Sequence, residues 1–366
     1  MADGSTKVYG VKWDYSQSST KLTRTDDATL FANPTPATTI SEVGTSPFDD
    51  VLPWSGMTRE TIGSDEMVYI PKFYYRVTED TANSNMKWQI TSEPREGFTL
   101  HPGSGRYISR YHTSSNYKSV SGAIPIGGLT MDTFRQNSHA KGENWWMIDM
   151  STWSAVQILY LIEYADWNSQ TTLGYGQISN GIVATGGTDT AVYHTIKADN
   201  TSHQYRWIED PFSNIRTFAD GCICASDCSI YVGINNEAFN GQTNGLDNTG
   251  IKLPSGSGYA SRLGLSEVAP WLFIPTAIGG SGSLYLSDYS MGDSKVSGVT
   301  VGGSNKKDDR YGMFMFDAND SATFTATDAG SRLIYIPPYD AEPRGPLDPL
   351  FMLMGWITAK RLSTAF

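Results

Sequence analysis

The chain has 366 residues, which is enough for one large domain or two modest ones. It contains 27 lysines and arginines against 38 aspartates and glutamates, so its formal net charge at pH 7 is −11. Phosphate binding requires clustered lysines and arginines, and this balance therefore excludes a nucleic-acid partner. Its 36 glycines and 17 prolines lie below the roughly 25–30% that marks low complexity, so we predict a folded, turn-rich protein.

The N-terminal sequence MADGSTKVYGVKWDYS has no apolar run after its first methionine, so we expect no signal peptide. No stretch reaches the roughly 18 apolar residues that a membrane span needs, so we expect no membrane insertion. The cysteines Cys222, Cys224 and Cys228 all lie within the heptapeptide CICASDC. This odd, local cluster favours structural thiols, with a metal site or a local disulfide as the alternative.

Almost every apolar run is short and ends at Gly, Pro, Asn or Ser, which predicts many short β-strands. The run MVYIPKFYYRV at residues 67–77 mixes β-branched and aromatic residues, and Pro71 predicts a break or an edge in it. Similar runs are RYISRYHT, SIYVGI, WLFIPTAIGG, GSLYLSDYS, VSGVTVGGS, YGMFMFD and SRLIYIP. We therefore expect an α+β, β-rich fold.

One segment, STWSAVQILYLIEYADWNSQ, departs from this pattern and predicts a helix with Ser151 or Thr152 as its N-cap. Its apolar residues form two stripes, so we expect the helix to be buried on both sides. Shorter helices are predicted near residues 131–138 and 209–220.

Composition divides the chain into three parts. Residues 1–65 are polar and rich in turn formers, so we expect an N-terminal attachment or stem segment with little core of its own. Residues 66–337 hold most of the predicted strands and should form the main domain. Residues 338–366 begin with a proline-rich stretch and continue into PLFMLMGWI, an apolar patch that we expect to dock on the body or on another subunit.

Short motifs follow one another in an order that resembles a known family. The segments VYGVKWDYS, LTRTDDA, SPFDDVLPWSGM, MVYIPKFYYRV, GRYISRYHTSSNYKSVSG, WWMIDMSTWSAVQILYLIEYADWNSQ and GYG resemble phage and prophage tail-fibre or tail-tip proteins. The segments YRWIEDPFSNIRTFADG, PWLFIPTAIGGSGSLYLSDYS, VGGS, YGMFMF and GSRLIYIP resemble the C-type-lectin-like fold. The version resembled is shared by formylglycine-generating enzymes and the variable proteins of diversity-generating retroelements, and the resemblance covers residues 7–337.

The resemblance implies that residues 66–337 are a ligand-binding domain with its variable surface near the end, at residues 284–316. Tyrosine offers a large contact area at low entropy cost, and Ser, Gly and Asn offer adaptable hydrogen bonds, as in antibody paratopes. The alternative is that residues 284–316 form ordinary solvent-exposed loops without a binding role. The predicted ligand-binding residues are Tyr285, Ser287, Asp288, Tyr289, Asp293, Lys295, Asn305, Lys306, Lys307, Asp308, Asp309, Arg310 and Tyr311.

Two enzyme hypotheses are weaker. In formylglycine-generating enzymes a Gly-Gly-Ser motif precedes a redox-active cysteine pair, but no cysteine follows Gly302, Gly303 and Ser304 here. Glycan cleavage needs two carboxylates across a cleft. The candidates are Glu163, Asp166, Glu209, Asp210, Asp288 and Asp293, of which Glu163 and Asp166 are expected to face solvent or to satisfy backbone groups near the helix end.

Structural roles are predicted for the histidines and for most of the tryptophans. The histidines His101, His112, His139, His194 and His203 lack metal-ligand spacing, so we expect hydrogen-bonded structural side chains. Core packing is expected for Trp145, Trp146, Trp153, Trp167, Trp207 and Trp271. Residues 317–328 hold several oxygen ligands but lack the glycine and terminal glutamate of a calcium loop. We predict no metal and no cofactor.

The resemblance therefore implies a non-enzymatic adhesin of a phage or phage-like tail. Its partners would be a bacterial surface receptor, protein or glycan, and other tail or baseplate proteins. It would form a homo-oligomer, most often a trimer, and would act in the virion tail after synthesis in the host cytoplasm. The alternative is a structural tail or baseplate component that binds no receptor.

Overall fold

The structure, a computed structural model, describes residues 6–178, 181–305 and 309–338. It is an α+β protein rich in strands, with 34% of its residues in strands and 12% in helices. Residues up to Ile336 belong to one compact unit. Apart from Pro338, the predicted C-terminal extension lies outside the described residues. Among the helices described, none has the length and apolar character to cross a membrane.

The strands are, in chain order, β1 (Tyr9–Asp14), β2 (Thr23–Asp26), β3 (Arg59–Ile62), β4 (Asp65–Ile70), β5 (Tyr74–Asp80), β6 (Asn85–Thr91), β7 (Thr99–Leu100), β8 (Arg106–Ser109), β9 (Trp145–Met147), β10 (Gln204–Tyr205), β11 (Ile208–Glu209), β12 (Arg216–Cys224), β13 (Ser229–Val232), β14 (Asp247–Lys252), β15 (Gly256–Gly264), β16 (Ile274–Ile278), β17 (Tyr289–Gly292), β18 (Ser297–Val301), β19 (Phe316–Ala318), β20 (Ala329–Gly330) and β21 (Leu333–Tyr335). The helices are α1 (Met131–His139), α2 (Met150–Tyr164) and α3 (Ser169–Leu173). Short 3-10 turns occupy Trp54–Gly56, Thr81–Asn83 and Asn236–Ala238.

The strands form three main sheets. Sheet A has the order β2-β1-β6-β5-β7, and sheet B has the order β3-β4-β8-β21-β9. Sheet C has the order β14-β13-β12-β18-β19-β17-β15-β16, with β20 paired to β12. Among the strands named above, the pairings are antiparallel except β17 with β19 and β12 with β20. As predicted, Pro71 separates two strands, and these belong to different sheets.

Helix α2 lies at the centre of the main core. All fifteen of its residues are buried, which confirms the helix that was predicted to be apolar on two sides. The predicted cap was wrong, because Asp149 occupies the N-cap position. Its carboxylate accepts a hydrogen bond from the backbone N–H of Thr152 at 2.7 Å.

The N-terminal segment shares this core. Strand β1 pairs with β6, and its Val11 and Trp13 are fully buried. Phe48 and Trp54 join the same cluster, and the Trp54 indole donates to the carbonyl oxygen of Leu159 in α2 at 3.1 Å. Composition suggested little core here, but the described residues 6–65 contribute large aromatic side chains to it. The attachment role of this segment stays a prediction.

The short helix predicted at residues 131–138 is α1, but the one predicted at residues 209–220 is absent. Asp210, Ser213 and Asn214 have positive φ angles, which an α-helix does not allow. The fully buried Arg332 donates to the carbonyl oxygens of Glu209 and Asp210 at 2.5 and 2.6 Å. These carbonyls therefore bind a buried guanidinium instead of helical N–H groups.

Candidate functional site

The predicted ligand-binding segment meets strand β15 within sheet C. The antiparallel register of β15 and β17 places Tyr259 directly opposite Tyr289. The two ring centroids are 4.9 Å apart with an interplanar angle of 81°, a favourable edge-to-face contact. Both side chains are half-buried. Tyr259 lies outside the predicted segment, and only this long-range pairing brings it to the site.

Arg310 contacts both Tyr289 and a third tyrosine, Tyr311. Its guanidinium carbon lies 5.2 Å from the ring centroid of Tyr289 and 5.3 Å from that of Tyr311, within cation–π range. The hydroxyl of Tyr259 donates to the Asp309 carboxylate at 2.5 Å. We call Tyr259, Tyr289, Asp309, Arg310 and Tyr311 the aromatic–arginine cluster.

The buried carboxyl group of Asp288 lies beneath the cluster. Asp288 is 1% exposed, and its Oδ2 accepts the backbone N–H of Phe314 at 2.8 Å. Its carbonyl oxygen accepts the N–H of Ala260 at 2.9 Å. Burial raises the pKa of Asp288 well above its ordinary value, and the nearby Asp309 adds to this shift. Asp288 therefore joins β15, β17 and the turn before β19 beneath the surface, where a ligand does not reach it.

Gly303 and Gln170 determine the position of Tyr311. Gly303 has a φ of +62°, and a Cβ added there would lie 2.1 Å from the Cβ of Tyr311. The side-chain amide of Gln170 donates to the carbonyl oxygen of Tyr311 at 2.8 Å. The sequence Gly302-Gly303-Ser304, which resembles an oxidase motif, therefore provides the close approach that places an aromatic ring in the cluster.

Among the other predicted ligand-binding residues, those that the structure describes do not join the cluster. Ser287 is fully buried, and Tyr285 packs against the main core while its N–H donates to Ser18. Asp293 and Lys295 form an exposed ion pair of 3.0 Å at the opposite end of β17, about 13 Å from Tyr289 for four residues of strand. Asn305 is half-buried. Lys306, Lys307 and Asp308 lie outside the described residues.

The carboxylates that could have supported glycan cleavage are mostly buried among protein partners. Five of them are at most 2% exposed: Glu163, Asp166, Glu209, Asp210 and Asp288. The expectation that Glu163 faces solvent is wrong, because it forms a buried ion pair with Arg206. Asp166 pairs with Lys21, and one of its oxygens accepts the N–H of Asn168 beyond the helix end. These side chains are not positioned to flank a substrate.

The oxygen ligands of residues 317–328 converge on an arginine. The guanidinium of Arg216 lies 3.2 Å from Asp317, 3.0 Å from Asp320 and 3.3 Å from Asp328. The positive charge expected of a bound ion is thus supplied by a side chain. Across the described ranges, no group of three or more His, Cys, Asp or Glu side chains could hold a metal ion.

The thiols and histidines have structural environments. All three cysteines are free and buried. Burial raises the pKa of the Cys224 thiol to about 12, which disfavours the reactive thiolate. Each of the five histidines has at least one hydrogen bond, which confirms the prediction made for them.

The tryptophan predictions were correct only in part. Trp153, Trp167 and Trp271 are buried in the main core, whereas Trp145 is half-buried on the surface of sheet B.

No protein-family model and no curated protein matches this chain. The geometry of the described residues is therefore the main basis for a functional argument. The cluster presents three aromatic rings, one cation and one carboxylate, a composition suited to recognition.

Proposed function

We propose that this protein attaches a phage or phage-like tail to its bacterial host by non-covalent binding of a surface receptor. The aromatic–arginine cluster supports this proposal most directly. It lies where the resemblance to retroelement-diversified proteins places a ligand-facing surface. We further propose that the domain has the C-type-lectin-like fold, with which the α+β, strand-rich architecture is compatible.

The cluster has the chemistry of a recognition surface. Tyrosine and arginine are enriched among the residues that contribute most to protein interfaces. The rings are held by cross-strand pairing, the Asp288 network and the contact at Gly303, so little side-chain entropy is lost when a ligand binds. The Arg310 guanidinium can bind a carboxylate or carbonyl of the ligand while the rings stack on its apolar face.

Oligomerisation would strengthen weak contacts. Several copies on one particle make each binding event after the first effectively intramolecular, so avidity exceeds single-site affinity. We propose a homotrimer carried by other tail or baseplate proteins. The segment of residues 1–65 would provide that attachment.

The second proposal is a structural tail or baseplate component for which the cluster is an assembly contact. The same aromatic and arginine side chains suit a protein partner within a particle. A glycan-cleaving enzyme has less support, because the candidate carboxylates Glu163, Asp166, Glu209 and Asp210 are buried.

The test is binding of the purified protein to intact cells from a panel of bacterial strains, before and after protease treatment of the cells. Strain-selective binding is expected. Its loss after protease treatment would identify a protein receptor, and its persistence would identify a glycan. Absence of binding to every strain, with protein shown to be folded, would favour the structural proposal.

A further inference from the structure

Sheet B carries a second set of aromatic side chains that the proposed function does not use. The strand register places Tyr69 opposite Tyr107, Tyr107 opposite Tyr335, and Tyr335 opposite Trp145. Side chains at directly opposed positions lie on the same face of a sheet. These four residues therefore form a continuous line across β4, β8, β21 and β9, which we call the aromatic row.

The rings of the aromatic row are in sequential contact. Their centroids are separated by 4.9 Å between Tyr69 and Tyr107, 6.1 Å between Tyr107 and Tyr335, and 5.1 Å between Tyr335 and Trp145. All four side chains are half-buried. Because neighbouring strands lie about 4.8 Å apart, the row is about 14 Å long.

Other apolar residues of sheet B are fully buried. The opposite face presents Val68, Ile108 and Ile334, which are fully buried in the main core. On the same face as the row, Met67 and Leu333 are also fully buried. The four rings therefore form a partly open strip beside a covered part of the face.

Polar groups lie at defined places along the row. The Tyr107 hydroxyl donates to the Glu60 carboxylate at 2.7 Å. At the β9 end, the Lys141 ammonium lies 4.8 Å from the ring centroid of Trp145. Lys141 is itself held by the Asp65 carboxylate at 3.0 Å. The row thus combines apolar ring faces with phenol hydroxyls, a fixed acceptor and a fixed donor.

We propose that the aromatic row binds an extended, uncharged glycan. The C–H face of a pyranose packs against an aromatic ring, while its hydroxyls need donors and acceptors at the edge, and both are present here. The charges of Glu60 and Lys141 have opposite signs, which fits a neutral polymer better than a strongly anionic one. An open row crossing four strands suits a linear chain, whereas a small molecule is normally enclosed in a pocket.

A proline-rich peptide is the other ligand class that binds aromatic surfaces, and the spacing disfavours it. A polyproline II helix repeats every three residues, or about 9 Å. The ring spacing of 4.9–6.1 Å is much shorter than this repeat. It is comparable to the length of one pyranose unit, and because neighbouring rings are tilted by 46–56° to one another, a twisted chain can place successive sugars against successive rings. This site is on sheet B, so the proposal does not depend on the cluster of sheet C.

The test uses the full chain in native affinity electrophoresis through gels that contain soluble linear polysaccharides, one β-1,4-linked glucan and one α-1,4-linked glucan. We expect at least one to retard the wild-type protein. Tyr107→Ala should weaken the retardation at least tenfold, and Tyr107→Phe, which retains the ring, should change it less than threefold. Tyr231→Ala, at a half-buried tyrosine of β13 that belongs to neither site, is the matched control and should leave the retardation unchanged.

Thermal unfolding establishes that the variants are folded, and Tyr107→Leu replaces Tyr107→Ala if the latter is not. The proposal is overturned if neither polysaccharide retards the wild-type protein, or if the ring-deleted variant is retarded equally. Saturable binding of a proline-rich decapeptide that Tyr107→Leu abolishes, without any binding of polysaccharide, would also overturn it.

Discussion

The buried ion pair between Glu163 and Arg206 joins the end of helix α2 to the loop that follows β10. The Arg206 guanidinium donates to both carboxylate oxygens, at 2.6 and 3.1 Å, and the two side chains are 1% and 2% exposed. Ser46 and the Tyr205 hydroxyl also donate to Glu163, at 2.7 and 3.0 Å. Removing the negative charge would leave the guanidinium buried, with Asp49 at 2.9 Å as a partly exposed carboxylate partner.

Glu163→Gln should therefore destabilise the protein strongly. Loss of one partner from a buried ion pair costs about 3–5 kcal/mol, and the remaining Asp49 contact places the expectation near the lower end. The assay is urea unfolding followed by tryptophan fluorescence. The control is Asp293→Asn, which breaks the exposed pair with Lys295 and should leave the free energy of unfolding nearly unchanged. A loss below about 1 kcal/mol for Glu163→Gln would refute the argument that this pair holds the helix end.

Three further outcomes are expected. Burial raises the pKa of Asp317 to about 6, above the unfolded value of about 3.9, so the folded state binds the proton more tightly than the unfolded state. The free energy of unfolding should therefore fall by about 2–3 kcal/mol as the pH rises from about 4 to about 6. Asp317→Asn should flatten that dependence in unfolding measured from pH 3.5 to 7. Gly303→Ala should displace Tyr311 and lower the free energy of unfolding by about 1–3 kcal/mol, because the position has a positive φ and no space for a Cβ. Thermal unfolding measures this loss, and a stability equal to that of the wild type would contradict the prediction. Thiol labelling at pH 8 should be slow for the native protein and fast in denaturant, since Cys224 and Cys228 are buried; rapid native labelling would show that they are accessible.

Some local features of the fold were predictable from the sequence, and others were not. Helix α2 could be recognised because apolar residues occupy all of its sides, and Pro71 marked a strand boundary because it cannot donate to a sheet. The N-cap was misassigned, since Asp149, Ser151 and Thr152 are all good caps and only the start of the helix distinguishes them. The helix predicted at residues 209–220 failed because a distant residue, Arg332, binds the carbonyl groups there.

The candidate site depended on contacts that sequence spacing does not show. Tyr259 was missed because it lies 30 residues before Tyr289, and its place follows from the register of β15 and β17. Asp288 was predicted at the surface because carboxylates are seldom buried, but here it bonds to backbone N–H groups in the interior. The aromatic row has the same origin, since Tyr69 and Tyr335 each meet Tyr107 only through strand pairing.

Recognition of the host by the aromatic–arginine cluster is tested most directly by the affinity of Arg310→Ala for cells of a strain that binds the wild-type protein. Lys295→Ala is the matched cation control. Truncation of a residue central to recognition costs about 2 kcal/mol or more, which is about 30-fold in Kd. We predict this loss for Arg310→Ala and less than a threefold change for Lys295→Ala. Equal affinities of wild type and Arg310→Ala, with both proteins folded, would contradict the claim that the aromatic–arginine cluster recognises the host.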